Sequence, residues 1–371
     1  MKTRLKRFAL PLTAAGLALL CMVCLLVYGH LAQLLDSQHQ AERWQGESET
    51  EFRQLSCFMA VDEKLSLEQI YTFRKAMMDK FHEAALDIGT DSQLFCDAWC
   101  SFGTVNVSSA QGKGEVSVTA VGGNFFDFHP IRLLSGNYIR PDDLMKDRVL
   151  LDEDVAWLLF GGTELSGMEF KINGQPFVVA GVIEREQDFA SKAAYSSGMG
   201  IYMSYEGYSA LQSANAGEGA ASAGGSPVGI NCYEVVMANP VKNFALNFAK
   251  EKFPIGGGLL ADNTGRYDYE TIFKLAKSFG QRSMQTHGVI LPYWENAARS
   301  IEDWCLALLL CAMVTAVLPL VLLVIWAVRL FILGKTKLEE DLLPKAKDNV
   351  EEAIRVRQRR AWEKRHLKKK E

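Results

Sequence analysis

The hydrophobic and polar positions fall into three regimes along the chain. Two runs are apolar without interruption. Phe8 to Val27 reads FALPLTAAGLALLCMVCLLV, and Cys305 to Val328 reads CLALLLCAMVTAVLPLVLLVIWAV, neither with a charge. At 1.5 Å per residue, a helix of either run crosses a hydrocarbon core of about 30 Å. Pro319 lies inside the second run, where it kinks a membrane helix rather than ending it. Trp304 and Trp326 sit near that run's ends, the interfacial positions that amphipathic rings favour. A cleaved signal peptide shares the basic start of the first run. Against it, the run is long and its exit, YGHLAQLLDS, has no clean small-x-small site, so an uncleaved anchor is expected.

Between the runs the pattern becomes periodic. Ser66-Leu67-Glu68-Gln69 is a capping box. Behind it Ile70, Phe73, Met77, Phe81 and Ala84 recur at helical spacing, predicting an amphipathic helix that ends near Gly89. Val116, Val118 and Ala120 alternate with polar residues and predict a strand. Residues 148–151 predict a second strand, followed by a helix capped by Asp152 and stopped by Gly161-Gly162. Asn173-Gly174 is a strong hairpin signal between Phe170-Lys171-Ile172 and the run Phe177 to Ile183. Gly200 to Met203 and Ile230 to Met237 read as strands, Val241 to Phe253 and Glu270 to Phe279 as helices. ANAGEGAASAGGSPVG, residues 214–229, has the composition of a flexible surface loop or hinge. After Pro292, YWENAARSIEDW is helical and runs into the second apolar run, predicting one continuous helix. The expected fold is therefore an α+β domain, a mixed sheet with hairpins and packed helices, between two transmembrane helices. About 265 residues between the spans suffice for two subdomains.

Charge adds a direction. Lys2, Arg4, Lys6 and Arg7 precede the first run with no acid among them, and Arg329, Lys335 and Lys337 follow the second. By the positive-inside rule both termini are expected in the cytoplasm of a two-pass protein of the cell membrane. The expected segments are a cytoplasmic start at 1–7, a span at 8–30, an extracytoplasmic domain at 36–300, a span at 304–330 and a charged tail at 331–371. The tail from Arg329 holds 14 Lys/Arg and 8 Asp/Glu, which leaves 22 Lys/Arg and 36 Asp/Glu in the outer segment, a net of −14. That excess argues against nucleic acid or anionic lipid as a partner there. In the tail, Val350, Ile354, Trp362 and Leu367 form a weakly apolar face beyond Pro344. It reads as a solvated helix or as a docking helix for a cytoplasmic partner or anionic headgroups.

Candidate chemistry is sparse. Cys21, Cys24, Cys305 and Cys311 lie in or at the apolar runs. Cys57, Cys96, Cys100 and Cys232 lie outside, where disulfides form, and four cysteines allow three pairings among which sequence does not choose. Cys96-x3-Cys100 has no second ligand pair, and the six histidines are scattered, so neither metal nor cofactor is expected. Asp142-Asp143 and Asp152-Glu153-Asp154 read as turn and cap residues. Gly334-Lys335-Thr336 imitates the end of a phosphate loop, but Arg329 stands at its first glycine. No enzyme activity is expected.

One stretch carries a resemblance. VTAVGGNFFDFHPIRLLSGNYIRPDD, then RVLLDEDVAWLLFGG, then SGMEFKINGQPFVVAGVIER, resembles the periplasmic core domain of MacB-type ABC transporter permeases over about residues 116–205. The matching positions are Asn124, Phe125, Phe126, Leu134, Gly136, Asp143, Val149, Leu150, Ala156, Leu159, Phe160, Gly161, Gly167, Gly174, Phe177, Val179, Gly181 and Val182. Asn137 stands where that family usually has Arg. Physics alone makes Phe125, Phe126 and Phe128 core anchors beside a strand, and Gly136 and Pro141 turn residues. The resemblance implies a structural, mechanotransmitting domain of two subdomains, with Asn124, Phe125, Phe126, Gly136, Phe160, Gly161, Gly167, Gly174 and Gly181 as its structural motif. Such permeases carry three further spans, in an FtsX-like segment, where one follows here, and MacB's N-terminal ATPase domain has no counterpart in the sequence. The expectation is a non-catalytic membrane subunit whose partners are a separate ABC ATPase, a full-length permease or a second copy of itself. The alternative is a two-span receptor or scaffold for an extracellular ligand or envelope partner.

Overall fold

The structure is a computed structural model that describes residues 2–84, 86, 94–195, 198–216, 228–337 and 343–367. The chain divides into two units, Tyr28–Ala307 and Met1–Val27 with Leu308–Glu371. The helices are α1 (Lys2–Ala32), α2 (Gln40–Gln45), α3 (Leu67–Glu83), α4 (Phe125–Phe128), α5 (Glu153–Phe160), α6 (Phe189–Ala194), α7 (Tyr205–Ala216), α8 (Phe244–Lys252), α9 (Tyr269–Lys274), α10 (Tyr293–Lys337) and α11 (Leu343–Leu367). The strands are β1 (Phe52–Phe58), β2 (Phe95–Ser108), β3 (Lys113–Gly123), β4 (Leu133–Gly136), β5 (Arg148–Asp152), β6 (Glu169–Ile172), β7 (Gln175–Ile183), β8 (Gly200–Ser204), β9 (Cys232–Ala238) and β10 (Leu259–Asp262).

In the larger unit these strands form one sheet in the order β10-β1-β9-β2-β3-β8-β5-β7-β4, with β6 bridging β2 and β7. The sheet is mixed: β3 pairs β8 and β5 pairs β7 in parallel, while the other pairings are antiparallel. The expected pair of subdomains therefore shares a continuous sheet, and the chain passes from one half to the other along β2. On one face, Phe73 of α3 packs edge-on to Tyr233 and Phe253 and tilted to Phe248, while Phe81 stacks on Phe244 of α8. On the other lie α4 and Trp294, in the first turn of α10, with Phe125 5.8 Å from the Trp294 ring.

Local signals placed several elements well. Ser66 and Gln69 make both capping-box hydrogen bonds of α3. Asp152 accepts from the Val155 amide at 2.8 Å, and α5 ends at Gly161 in the left-handed region, φ 73°. Asn173 and Gly174 turn the β6–β7 hairpin with φ 46° and 85°. The continuous helix expected after Pro292 is α10, which includes Pro319. Gly334-Lys335-Thr336 is helical within it. Other boundaries differ. The third helix stops at Glu83, six residues short of Gly89, which lies outside the described residues. The 214–229 segment begins inside α7, and its residues 217–227 lie outside the described residues too. Two strands of the core, β1 and β2, have no counterpart in the pattern reading. Both faces of these strands are covered, so residues 54–58 and 96–101 are buried without alternation.

The smaller unit contains the apolar helices. Two helical stretches, Pro11–Ala32 and Tyr293–Thr336, are long and apolar enough to cross a membrane, with mean hydropathy 2.3 and 3.0. Within this unit α1 and α10 meet through small side chains: Ala14, Cys24, Ala312 and Thr315 are buried, and the Cys21 thiol donates to the Ala312 carbonyl at 3.4 Å. Small residues let helix backbones approach closely where lipid removes any hydrophobic drive to associate. Leu12, Leu26, Val324 and Phe331 point outward.

Candidate functional site

The first turns of α10 belong to the larger unit, and their sequence is unlike the apolar stretch that follows. Trp294, Ala297, Ala298, Ile301 and Cys305 are buried at three- and four-residue steps, one helical stripe. Glu295 and Glu302 are also buried, seven residues apart and so on one face. A buried carboxylate survives only with a partner. Both find one in Arg266, which lies in the loop after β10 and is itself 6% exposed.

The Arg266 guanidinium grips Glu295 with two hydrogen bonds, at 3.0 and 3.1 Å, and donates from Nε to Glu302 at 2.8 Å. It also donates to the Gln38 side chain. Arg299 adds a 2.8 Å bond to Glu295. Arg282 binds Glu302 and, at 2.8 Å, Asp303. Three guanidinium groups thus face three carboxylates. Burial alone would lower the Arg266 pKa, but Glu295 and Glu302 outweigh it and hold the guanidinium charged. Burial alone would raise the Glu295 carboxyl, but Arg266 and Arg299 outweigh it and hold it below its usual value.

This cluster continues into the sheet. Arg266 donates to Asn263 at 3.4 Å, Asn263 to the Ser56 hydroxyl at 2.8 Å, and Ser56 to Glu234 at 2.8 Å. The other Glu234 oxygen meets His129 Nε2 at 2.5 Å. All five side chains are buried. His129 closes the FFDFH segment, and its ring lies 4.6 Å from Phe125 and 4.4 Å from Trp294. A buried polar relay and an aromatic stack therefore run side by side from α4 to α10. A third grip holds the first residue of α10: the Tyr293 hydroxyl donates to Glu186 at 2.8 Å and its ring stacks on Tyr195 at 4.0 Å.

The residues singled out from sequence divide. Phe125 is 2% exposed and stands inside this junction; Phe126 is half-buried and stacks on Tyr138 at 5.0 Å. Asn124 precedes α4 without a side-chain cap and donates to the Cys96 sulfur at 3.2 Å. Gly136 and Gly181 face each other between β4 and β7. A Cβ on Gly136, φ 78°, would come within 2.2 Å of the Ala180 oxygen. Phe160 packs on the edge of the core, while Gly161, Gly167 and Gly174 sit in turns with positive φ, away from the junction. Sequence reasoning missed Arg266, Glu295, Glu302, Glu234 and Ser56 altogether. The one available signal was two acids seven residues apart on the apolar stripe ahead of a span. No cluster of three or more His, Cys, Asp or Glu suited to a metal ion occurs among the described residues.

The arrangement fixes the first turns of a helix to a sheet. A mixed α+β domain followed by a helix that continues as a long apolar segment, with a second apolar helix ahead of it, defines a membrane protein built around a periplasmic-type domain. Residues 15–238, more than half of the chain, match the model of the MacB-like periplasmic core domain, and the chain belongs to that family. The extracellular domain of the noncanonic ABC-type transporter YknZ from Gram-positive bacteria is 14% identical, with 57% of this chain and 99% of that one covered, at a TM-score of 0.35. The periplasmic region of MacB from Actinobacillus actinomycetemcomitans is also 14% identical, with 57% and 89% covered, at a TM-score of 0.39. No curated protein matches the chain.

Proposed function

We propose that this protein is a non-catalytic membrane subunit of an ABC-type transport system, working with a separate ATPase or permease. The observation that carries the reading is the family match over residues 15–238. The junction supports it, because an outer domain that exchanges motion with a membrane helix needs that helix held in one register. Arg266 pairs with Glu295 and Glu302, and Arg282 with Glu302 and Asp303, so ion pairs from outside α10 grip it two turns apart and resist both rotation and sliding. Asn124, Phe125, Phe126, Gly136, Phe160, Gly161, Gly167, Gly174 and Gly181 are then structural residues that set the shape of the sheet and of α4. In this reading both termini are cytoplasmic, by the positive-inside rule.

The test is purification of the tagged full-length protein in mild detergent, with its companions identified by mass spectrometry. An ABC-type ATPase or a larger permease in stoichiometric yield is the expected result. Recovery of the chain alone, or only with itself, would replace the proposal with a two-span receptor or scaffold. Reporter fusions at each end test the topology separately.

A further inference from the structure

We propose that Cys100 and Cys232 form a disulfide that staples the two crossings between the halves of the outer sheet. The inference rests on the outward placement of the domain in the proposed function. Its geometry is independent of it.

β2 and β9 are antiparallel neighbours, and Cys100 and Cys232 are direct partners in their register. Directly opposed residues of an antiparallel pair have Cα atoms about 4.5–5.5 Å apart. That lies inside the range of about 4.4–6.8 Å over which a disulfide closes without moving the backbone. The two thiols also lie within hydrogen-bonding reach of each other. The register excludes the alternatives that sequence left open. Cys96 is opposite Val236 and four residues from Cys100 on the same strand, roughly 13 Å away. Its sulfur accepts from Asn124 instead. Cys57 is opposite Tyr233, so it points to the face that Cys232 does not.

The position matters more than the bond count. The chain leaves the β10-β1-β9-β2 half after Cys100 and returns to it at Cys232, and the 131 residues between them hold β3 through β8. A bond here ties the exit to the return, so force on the second half cannot peel β2 from β9. It also lies one same-face step from Glu234, the member of the polar relay that holds His129.

The oxidation balances with an acceptor disulfide of the compartment's thiol-oxidising system. One cysteine thiolate attacks that disulfide, forming a mixed disulfide and releasing one acceptor thiolate. The second cysteine thiolate attacks the mixed disulfide, closes the Sγ–Sγ bond and releases the second. Two protons and two electrons leave the protein, and the acceptor becomes a dithiol. Burial holds both protein thiols protonated in the finished fold. The bond therefore closes before the sheet packs, and it is afterwards shielded from reductant.

To test this, cells expressing the full-length protein are quenched with N-ethylmaleimide. The protein is then denatured and digested without reductant, and its peptides are weighed. A linked peptide pair containing Cys100 and Cys232, lost in both C100S and C232S, is the expected result. Reductant kept present through a thermal melt in detergent, where it reaches the bond as the sheet opens, should lower the wild-type Tm by about 10 °C, for a loop of this length, and leave C100S unmoved. Full alkylation of both cysteines overturns the proposal. Refolding with oxidised glutathione then locates the failure: a linked pair in vitro faults the outward placement, and none faults the register.

Discussion

At Arg266 one guanidinium serves two carboxylates, a glutamine and an asparagine, all buried. Removing one partner of a buried pair leaves the other charge without water or counter-ion, which costs about 3–5 kcal/mol. Arg266→Met is expected to destabilise the full-length protein by that amount, read as a lower melting temperature in detergent. Glu295→Gln carries a pH signature as well. The folded Glu295 pKa is depressed, so its contribution is fully present above the unfolded value of about 4.3 and fades as pH falls through the folded value. Wild type and Glu295→Gln should therefore differ by a constant amount above about pH 5, and the gap should narrow as pH falls below about 4. A gap that stays constant down to pH 3 would remove Glu295 from the charge cluster. Phe125 and Phe126, equivalent in sequence, should separate. Phe125→Ala is expected to cost about 3–5 kcal/mol as a buried large-to-small change, and Phe126→Ala clearly less. Equal losses would contradict their difference in burial.

At the scale of elements, the outcome depended on whether a signal was local. The capping box of α3, the Asp152 cap of α5 and the Asn173-Gly174 hairpin each need only neighbours in sequence, and each stands where the pattern placed it. β1 and β2 failed for the opposite reason. A strand covered on both faces has no polar alternation to betray it, and Gln54, Ser56 and Asp97 are polar residues inside the core. The pairing of β4 with β7 also needs tertiary knowledge, because Gly136 and Gly181 are required by each other's backbone. Gly136→Ala forces a side chain into positive φ and against the Ala180 oxygen, and should destabilise by about 2–4 kcal/mol. Hydrogen exchange should then show the loss concentrated in β4 and β7, and unchanged protection there would refute the close approach.

For the molecule as a whole, α10, like the end of α1, belongs to both units, since its first turns lie in Tyr28–Ala307 and the rest starts at Leu308. If the outer turns are held by the charge cluster, Arg266→Met should also weaken recovery of any companion ATPase or permease while the span still inserts; undiminished recovery would separate the junction from the transport role. Sequence by itself determined the two apolar helices, the mixed α+β character of the segment between them, and the continuous α10. Each follows from composition or from contacts within a few residues, and the run NFFDFH through Gly181 was enough to suggest the family. Tertiary structure alone decided how the strands join into one sheet and which cysteines oppose each other. It also decided that His129, Glu234, Ser56, Asn263, Arg266 and Glu295 form one relay. Those six come from five separate parts of the chain, spread from Ser56 to Glu295. A buried charge declares its partner only when the fold has removed the water that would otherwise have solvated it.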